Sequence, residues 1–282
     1  MVPNHVHYTY EHEVRVNSLG LRGPELPAEK GAELRVLCLG DSLVYGQGVA
    51  DDQTIPAHME RLAAARRPFQ PFRAVNAGVR AYATHQELAL LEELGPQVAP
   101  DVVALFWYHN DFEERDIAAT VAKLEKSGPI TFDVSDPLEG WLLVRWQLEQ
   151  VVRKSALAME LFDVVRARTG ERMPNEFFEA GFGRLDGYLD RFAAYAKQHG
   201  VRAVFVRVPD AQSIRRATEF DALDHRAMEL ARAKGLEVVD ALPELQRDFA
   251  SAPALPVIPY DGHFEGPANA SIARAVVALL VP

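Results

Sequence analysis

Residues 34–48, LRVLCLGDSLVYGQG, decide the fold. Their first six residues form a mainly apolar run that ends at a glycine, a pattern that predicts a buried strand of a parallel sheet. The chain then turns sharply through Gly40, Asp41 and Ser42. Because open α/β sheets place their chemistry at the carboxyl ends of strands, Ser42 is a candidate nucleophile. The alternative interpretation is that Asp41 or Ser42 only caps the helix that follows.

The composition is that of an ordinary globular protein. The chain has 282 residues, 48% of them hydrophobic and 25% charged, which suits one large domain with an ample core. A net charge of -10 without any lysine and arginine cluster disfavours a nucleic-acid partner. The single cysteine, Cys38, lies in the predicted buried strand, so a disulfide scaffold is excluded.

No sequence pattern points to a membrane. No run of 18 apolar residues encodes a spanning helix, and residues 1–14 lack the apolar core of a signal peptide. As written, the sequence therefore predicts a cytoplasmic protein, and an extracytoplasmic location is the expectation if it is a trimmed form. Nothing in the sequence sets the oligomeric state.

Strands and helices alternate after the first strand. We expect helices over residues 54–67 and 84–94, the second closed by Gly95-Pro96, and strands over residues 72–75 and 101–108. Such alternation is typical of a parallel sheet with right-handed crossovers. The three strands end on the sequences GDS, NAG and HND. Carboxyl ends of parallel strands meet at one edge of a sheet, so we expect these clusters to be neighbours.

The alternation is interrupted once, over residues 112–183. This section is longer than an ordinary connection, and its residues 141–165 are apolar and largely helical in character, so it predicts a helical insertion that serves as a lid or covers the sheet. We therefore divide the chain into an amino-terminal arm and connection, residues 1–33, and an α/β domain, residues 34–282. After the insertion we expect three helices and two strands, over residues 185–199, 201–208, 220–234, 236–239 and 268–280.

Serine needs an adjacent base to become a nucleophile, and His263 is the best candidate among nine histidines. It lies in a turn, two residues after Asp261, which is suited to orient an imidazole ring. Acyl transfer also needs donors to a developing oxyanion, and the Gly78 N–H and the Asn110 amide are candidates. Each residue alone also fits an ordinary turn or cap. No paired histidine or cysteine spacing indicates a metal site.

The sequence contains four blocks in this order: Gly40-Asp41-Ser42-Leu43, Asn76-Ala77-Gly78, Asn110-Asp111 and Asp261-Gly262-His263. They resemble the four blocks of SGNH (GDSL-type) hydrolases, which occur in the same order. Residues 17–23, NSLGLRG, are also similar to the lead-in of many bacterial members.

The resemblance implies a flavodoxin-like three-layer α/β/α sandwich and serine esterase chemistry without metal or cofactor. Ser42 would attack the ester, His263 would transfer protons, and Asp261 would orient the ring. The Ser42 and Gly78 N–H groups and the Asn110 amide would form the oxyanion hole. The expected partner is a small-molecule, carbohydrate or lipid ester. The alternative to ester hydrolysis is O-acyl transfer to a carbohydrate by the same triad. The third hypothesis is a non-catalytic binding module on the same fold.

Two departures from the family pattern concern substrate size and triad geometry rather than reaction class. Tyr108 stands where the third block usually has glycine, and the closing block is one residue shorter than the usual Asp-x-x-His. Five residues adjoin the predicted site and are expected to shape the substrate pocket: Asp41, Tyr45, Tyr108, His109 and Phe264.

Overall fold

The computed structural model of the protein describes residues 1–27, 29–112, 175–259 and 261–282. The chain forms two compact units. The first comprises Met1–Glu114, Glu176–Ile258 and His263–Pro282, and the second comprises Arg115–Asn175 and Pro259–Gly262. The expected helical insertion lies outside the described residues over positions 113–174, so its lid role stays a prediction.

The amino-terminal segment begins with an antiparallel hairpin of β1 (Val6–Thr9) and β2 (His12–Arg15). In the sequence, residues 8–16 alternate loosely between apolar and polar, a pattern that predicts an edge strand or an extended arm. The hairpin instead forms its own two-stranded sheet, separate from the central one.

The central sheet has five parallel strands: β3 (Leu34–Gly40), β4 (Phe72–Gly78), β5 (Val102–Trp107), β6 (Arg202–Arg207) and β7 (Glu237–Asp240). Their order across the sheet is β4-β3-β5-β6-β7. This is the flavodoxin-like order, in which the first strand of the sheet lies between the second and the third. It confirms the predicted α/β class and strand number.

Helices cover both faces of the sheet, because alternate strand residues point to opposite sides. The helices are α1 (Ser42–Tyr45), α2 (Ile55–Arg66), α3 (Thr84–Val98), α4 (Asn175–His199), α5 (Glu219–Ala233), α6 (Leu242–Phe249) and α7 (Gly266–Leu280). On one face, Val36 and Cys38 pack in an apolar cluster with residues of α2 and α7. On the other face, Leu37 and Leu39 pack in a second cluster with residues of α3, α4 and α5. None of the described helices has the length and apolar character needed to cross a membrane.

The predicted end of α3 at Gly95-Pro96 is wrong, because the helix continues to Val98. A Cβ atom at Gly95 would overlap the hydroxyl of Tyr195 on α4, so this glycine makes room for a neighbouring helix rather than stopping its own. The helix ends instead at Ala99, which has a left-handed φ of 48°.

Two other element boundaries differ from the sequence prediction by three or more residues, and one helix was missed. The second sheet strand runs to Gly78 rather than ending at Val75, and α4 begins at Asn175 rather than at Leu185. The helix α6 was not predicted, because its eight residues, LPELQRDF, are too few to show a clear helical period.

A buried ion cluster joins β6, β7 and α5. Arg207, which is 0% exposed, donates to Asp221 and Asp224 at 2.6 Å each and to Asp240 at 3.1 Å. Because Asp224 is equally buried, loss of the guanidinium would leave a carboxylate without compensation in the protein interior.

We expect Arg207→Leu to lower the free energy of unfolding by about 3–5 kcal/mol. The matched control is Arg202→Leu, which removes an exposed pair with Glu237 on the same two strands and should cost less than about 1 kcal/mol. Urea denaturation of both variants tests this, and equal losses would contradict the role assigned to Arg207.

Candidate active site

Ser42 is the first residue of α1, directly after β3. Asp41 caps the helix, since its Oδ1 accepts the Leu43 N–H at 2.8 Å. Gly40 permits the turn because a Cβ atom there would overlap the side chain of Val44. Asp41 therefore performs the capping, and Ser42 lies at the carboxyl edge of the sheet, 9% exposed.

His263 lies next to Ser42, although 221 positions separate them in the chain. Its Nε2 is 2.6 Å from Ser42 Oγ. Two backbone hydrogen bonds hold the chain around His263 in place. The Ile258 N–H donates to His263 O and the Glu265 N–H donates to Pro256 O, both at 2.8 Å. A serine and a histidine at this separation have the geometry of a nucleophile and its base.

Asn110 reaches the same place from the end of β5. Its Nδ2 donates to Asp41 Oδ2 at 2.9 Å, and Ser42 Oγ is 3.5 Å from that same oxygen. The strands β3 and β5 are neighbours at the point where strand order reverses, which is where open α/β sheets bind ligands. A side-chain amide has two N–H donors, so one remains after the bond to Asp41.

The Asp41 carboxyl is buried, with 2% of its surface exposed. Burial raises its pKa, whereas the hydrogen bonds from the Leu43 N–H and the Asn110 amide and the charge of His263 act in the opposite direction. The donors around Asp41 thus offset part of the desolvation cost of its charged form.

Gly78 lies at the end of β4, pressed against the backbone of α1. A Cβ atom on it would overlap the backbone of Val44 and Tyr45. Its N–H donates to Asn76 Oδ1 at 3.0 Å, and Asn76 Nδ2 donates to Val44 O at 2.9 Å. The predicted oxyanion donor therefore already has an acceptor, and a substrate oxygen would compete with Asn76 for it.

Arg22 holds α1 and the loop after it, a role that the sequence reasoning missed. The guanidinium, in a residue only 3% exposed, donates to the carbonyl oxygens of Tyr45, Gly46 and Val49 at 2.9, 2.6 and 2.7 Å, and to Asp51 at 2.8 Å. Its only signal in the sequence is its place in the NSLGLRG lead-in.

Ala81 is a second residue that the sequence did not single out. It lies in the turn after β4, where the Tyr82 N–H donates to Val79 O at 3.1 Å, and it has a φ of 63°. Left-handed backbone at a residue other than glycine costs about 1 kcal/mol or more, so this turn has a conformation that the surrounding structure imposes.

The residues after β5 are held by aromatic and polar contacts. Tyr108 Oη donates to Asp210 Oδ2 at 3.4 Å, and burial together with the negative charge of Asp210 raises the pKa of Tyr108. The ring of His109 stacks on Phe220 with 3.8 Å between centroids. Burial and the nearby Arg207 lower the pKa of His109 to about 4, so its imidazole is neutral at pH 7.

The remaining predicted residues take different positions. Tyr45 is 1% exposed, and Phe264 is packed in the apolar cluster that contains α7 residues. Asp261 is half-buried and belongs to the second unit, where Gly262 has a φ of 86°. No cluster of three or more histidine, cysteine, aspartate or glutamate side chains among the described residues has the arrangement of a metal site.

Two further carboxyls are buried behind the site. Glu87 on α3 is 0% exposed, and within the described part of the chain neither of its oxygens has a hydrogen-bond partner. Asp111 accepts the Tyr108 N–H at 3.3 Å. Burial raises the pKa of both carboxyls, and the charges of Glu87 and Asp41 raise that of Asp111 further.

The comparisons with known proteins agree with this architecture. The sequence profile described as the GDSL-like lipase/acylhydrolase family matches residues 38–271. No curated protein matches the sequence significantly.

Solved structures with 15% sequence identity share the fold. TesA superposes with a TM-score of 0.51 over 88% of this chain and 98% of its own. LAE5, an alpha/beta hydrolase from the metagenome of Lake Arreo, Spain, gives 0.52 over 86% and 93%. A catalytic mutant of Axe2, an acetylxylan esterase from Geobacillus stearothermophilus, gives 0.50 over 88% and 94%.

We expect Gly78→Ala to displace α1, because the added methyl meets backbone atoms that cannot rotate away. Both thermal stability and any activity that depends on Ser42 should fall, the activity by at least about tenfold. Gly187→Ala is the control, since a Cβ atom there meets nothing within 4 Å and alanine favours its helix by about 0.5–1 kcal/mol. Thermal melts and fluorophosphonate labelling rates check both variants, and a Gly78→Ala protein that labels like wild type would contradict the expectation.

Glu87 makes stability depend on pH. Its folded-state pKa lies well above its ordinary value of 4.5, so between these values the folded state binds more protons than the unfolded state. Stability should therefore fall as pH rises above 4.5, by up to about 1.4 kcal/mol per pH unit for one proton. Denaturant unfolding from pH 4 to 8 should show a shallower fall in Glu87→Gln than in wild type, whereas the exposed Glu93→Gln on the same helix should keep the wild-type profile.

Proposed function

The chain belongs to the GDSL-like lipase/acylhydrolase family and is an ester hydrolase, and we propose that Ser42, His263 and Asp261 carry its chemistry. The observation on which the proposal rests is the 2.6 Å separation of Ser42 Oγ and His263 Nε2 at the carboxyl edge of the sheet. This edge, between β3 and β5, is where the fold places ligands.

In the acylation step, Ser42 Oγ attacks the carbonyl carbon of the ester while His263 Nε2 accepts the hydroxyl proton. The resulting tetrahedral intermediate collapses as the C–O bond to the alcohol breaks. His263 returns the proton to the departing alcohol oxygen, and the acyl group remains on Ser42.

Deacylation repeats these events with water as the nucleophile. His263 removes a proton from the water as its oxygen attacks the acyl carbon. Collapse of the second intermediate breaks the bond to Ser42 Oγ, which regains a proton from His263, and the carboxylic acid leaves.

The negative charge on the carbonyl oxygen needs donors in both steps. The Ser42 N–H, at the first position of α1, and the second N–H of the Asn110 amide are the proposed donors. The contact with Asp41 supports the role of Asn110, because it fixes the amide beside Ser42. Gly78 remains a proposed third donor, which would act only after its N–H leaves Asn76 Oδ1.

Asp261 is proposed as the residue that orients the imidazole of His263 and stabilises its protonated form. The support is its place two residues before His263 in the block Asp261-Gly262-His263, which is similar to the closing block of the family.

The substrate we propose is an acyl ester of a carbohydrate or lipid alcohol. Short acyl groups are the first to test, because Tyr108 carries a large side chain at the position where the family usually has glycine, and Asp210 holds its hydroxyl. The same acyl-enzyme would transfer its acyl group to a carbohydrate hydroxyl if that acceptor replaced water.

We expect the wild-type protein to hydrolyse p-nitrophenyl acetate and butyrate and to react covalently with a fluorophosphonate probe. Ser42→Ala should lower kcat/KM by at least about a thousandfold and abolish labelling. The exposed Ser18→Ala is the matched control and should retain both properties.

The two readouts separate the remaining readings. Labelling without turnover would indicate a formed nucleophile that awaits another acceptor, and acyl transfer to added sugars would then be measured. Absence of both labelling and turnover in the wild type would overturn the proposed chemistry in favour of a binding role.

A further inference from the structure

A cavity of about 510 Å³ lies at the carboxyl end of α1. Tyr45, the last residue of this helix, lies one turn after Ser42, and residues three apart on a helix are neighbours, about 5–6 Å between Cβ atoms. Val79 follows β4, and its N–H donates to Gly40 O at 3.0 Å. The cavity is therefore at the same edge of the sheet as Ser42. Its lining consists of Met1, His7, Tyr45, Gln47, Val79 and Arg80.

The cavity wall contains an ordered stack of rings. The Nε2 of His7, on β1, is 2.8 Å from the Tyr45 hydroxyl, and the two rings are nearly parallel at 14° with 6.3 Å between centroids. His5 continues the stack at 6.1 Å from His7. The amino-terminal hairpin thus contributes the imidazole of His7 to a cavity at the same edge of the sheet as the candidate nucleophile.

Two guanidinium groups lie over the Tyr45 ring. The Cζ of Arg22 is 5.1 Å from the ring centroid, and that of Arg80 is 5.4 Å away. Arg22 is buried, and its donors are taken by backbone carbonyls and Asp51. Arg80 is exposed, and within the described part of the chain it forms no ion pair. Its guanidinium donors are therefore accessible to a ligand.

The local field is positive, although the protein as a whole carries a net charge of -10. Burial lowers the pKa of His7, and the positive charges of Arg80, His5 and Arg22 lower it further, while Asp51 acts in the opposite direction. Asp51 is already paired with Arg22 at 2.8 Å. A confined positive region on an acidic protein attracts anions selectively.

We propose that this cavity is a subsite for an anionic group of the ester substrate, a carboxylate or a phosphate, and that Arg80 determines specificity for it. Both groups present paired oxygens that a guanidinium binds with two parallel hydrogen bonds. The proposal rests on the proposed function, because it places the anion on a molecule whose ester carbonyl reaches Ser42.

The experiment compares kcat/KM for matched charged and neutral esters at low ionic strength. On the acyl side, mono-p-nitrophenyl glutarate is compared with p-nitrophenyl valerate, in which a methyl group replaces the carboxylate. On the alcohol side, 1-acetylglycerol 3-phosphate is compared with 1-acetylglycerol. We expect the charged ester to be preferred by about two- to fivefold in one of these pairs, the range of an exposed ion pair. The pair that shows the preference identifies the anionic group and its side of the ester.

Arg80→Gln should abolish this preference, and Arg80→Lys should retain part of it because the charge remains. Arg232→Gln removes another exposed arginine and should leave the preference unchanged. Added salt at 0.5 M should reduce the wild-type ratio towards one, since ions screen exposed charges. Equal kcat/KM for charged and neutral esters, or a preference that survives Arg80→Gln, would overturn the proposal.

A binding measurement separates this inference from the proposed function. Glutarate and glycerol 3-phosphate are titrated calorimetrically into Ser42→Ala and into Ser42→Ala with Arg80→Gln. Binding that is lost with Arg80 supports the subsite even if no ester is hydrolysed, in which case the proposed chemistry alone fails. Ester turnover together with no binding of either anion to Ser42→Ala would overturn the subsite and leave the chemistry standing.

Discussion

The buried carboxylate of Asp41 joins the three parts of the candidate site. One oxygen accepts the Leu43 N–H and fixes the start of α1, and the other accepts the amide of Asn110 from the end of β5. That second oxygen is also 3.5 Å from Ser42 Oγ. Burial of a carboxylate without donors costs free energy, so each of these hydrogen bonds stabilises the charged form of Asp41. The same hydrogen bonds hold the Leu43 N–H and the Asn110 amide in place. The separation between Ser42 and Asn110 therefore depends on a residue that takes no part in the proposed bond changes.

A four-residue helix is too short to be stable by itself, so α1 needs support from the rest of the protein. The support comes from side chains that donate hydrogen bonds to the carbonyl oxygens at its end. Asn76 donates to Val44 O, and Arg22 donates to Tyr45 O and Gly46 O. Gly78 allows β4 to approach the helix closely enough for these bonds to form. The proposed nucleophile, Ser42, is thus positioned by the neighbouring strand and by the amino-terminal segment together.

The parts of this arrangement that follow from local pattern were predictable. The apolar run before Gly40 and the polar residues after it indicated a strand that ends in a turn, and the parallel sheet brought Ser42 and Asn110 to one edge. The roles of Arg22 and Gly95 were not predictable, because their partners are distant in sequence. The acceptors of Arg22 are backbone carbonyls, which any residue can supply, and the space at Gly95 is filled by Tyr195 from another helix. His263 was predicted as the base from its turn, two residues after Asp261, and from the order of the family blocks, whereas no local pattern encodes its 2.6 Å separation from Ser42 Oγ.

The charges around Ser42 have opposite effects on the two ions that the proposed acylation step would create, the imidazolium of His263 and the oxyanion of the substrate. A protonated His263 and the Asp41 carboxylate attract each other, and this attraction opposes the rise in the Asp41 pKa. The negative charge of Asp41 repels the oxyanion that forms on the substrate, and the buried carboxyls of Glu87 and Asp111 add to this repulsion wherever they are ionised. Their raised pKa values reduce that ionisation, since burial favours the neutral acid. The proposed donors, the Ser42 N–H and the Asn110 amide, would then supply the local positive potential at the carbonyl oxygen, so burial of the acids and placement of the Asn110 amide would act together in the proposed ester cleavage.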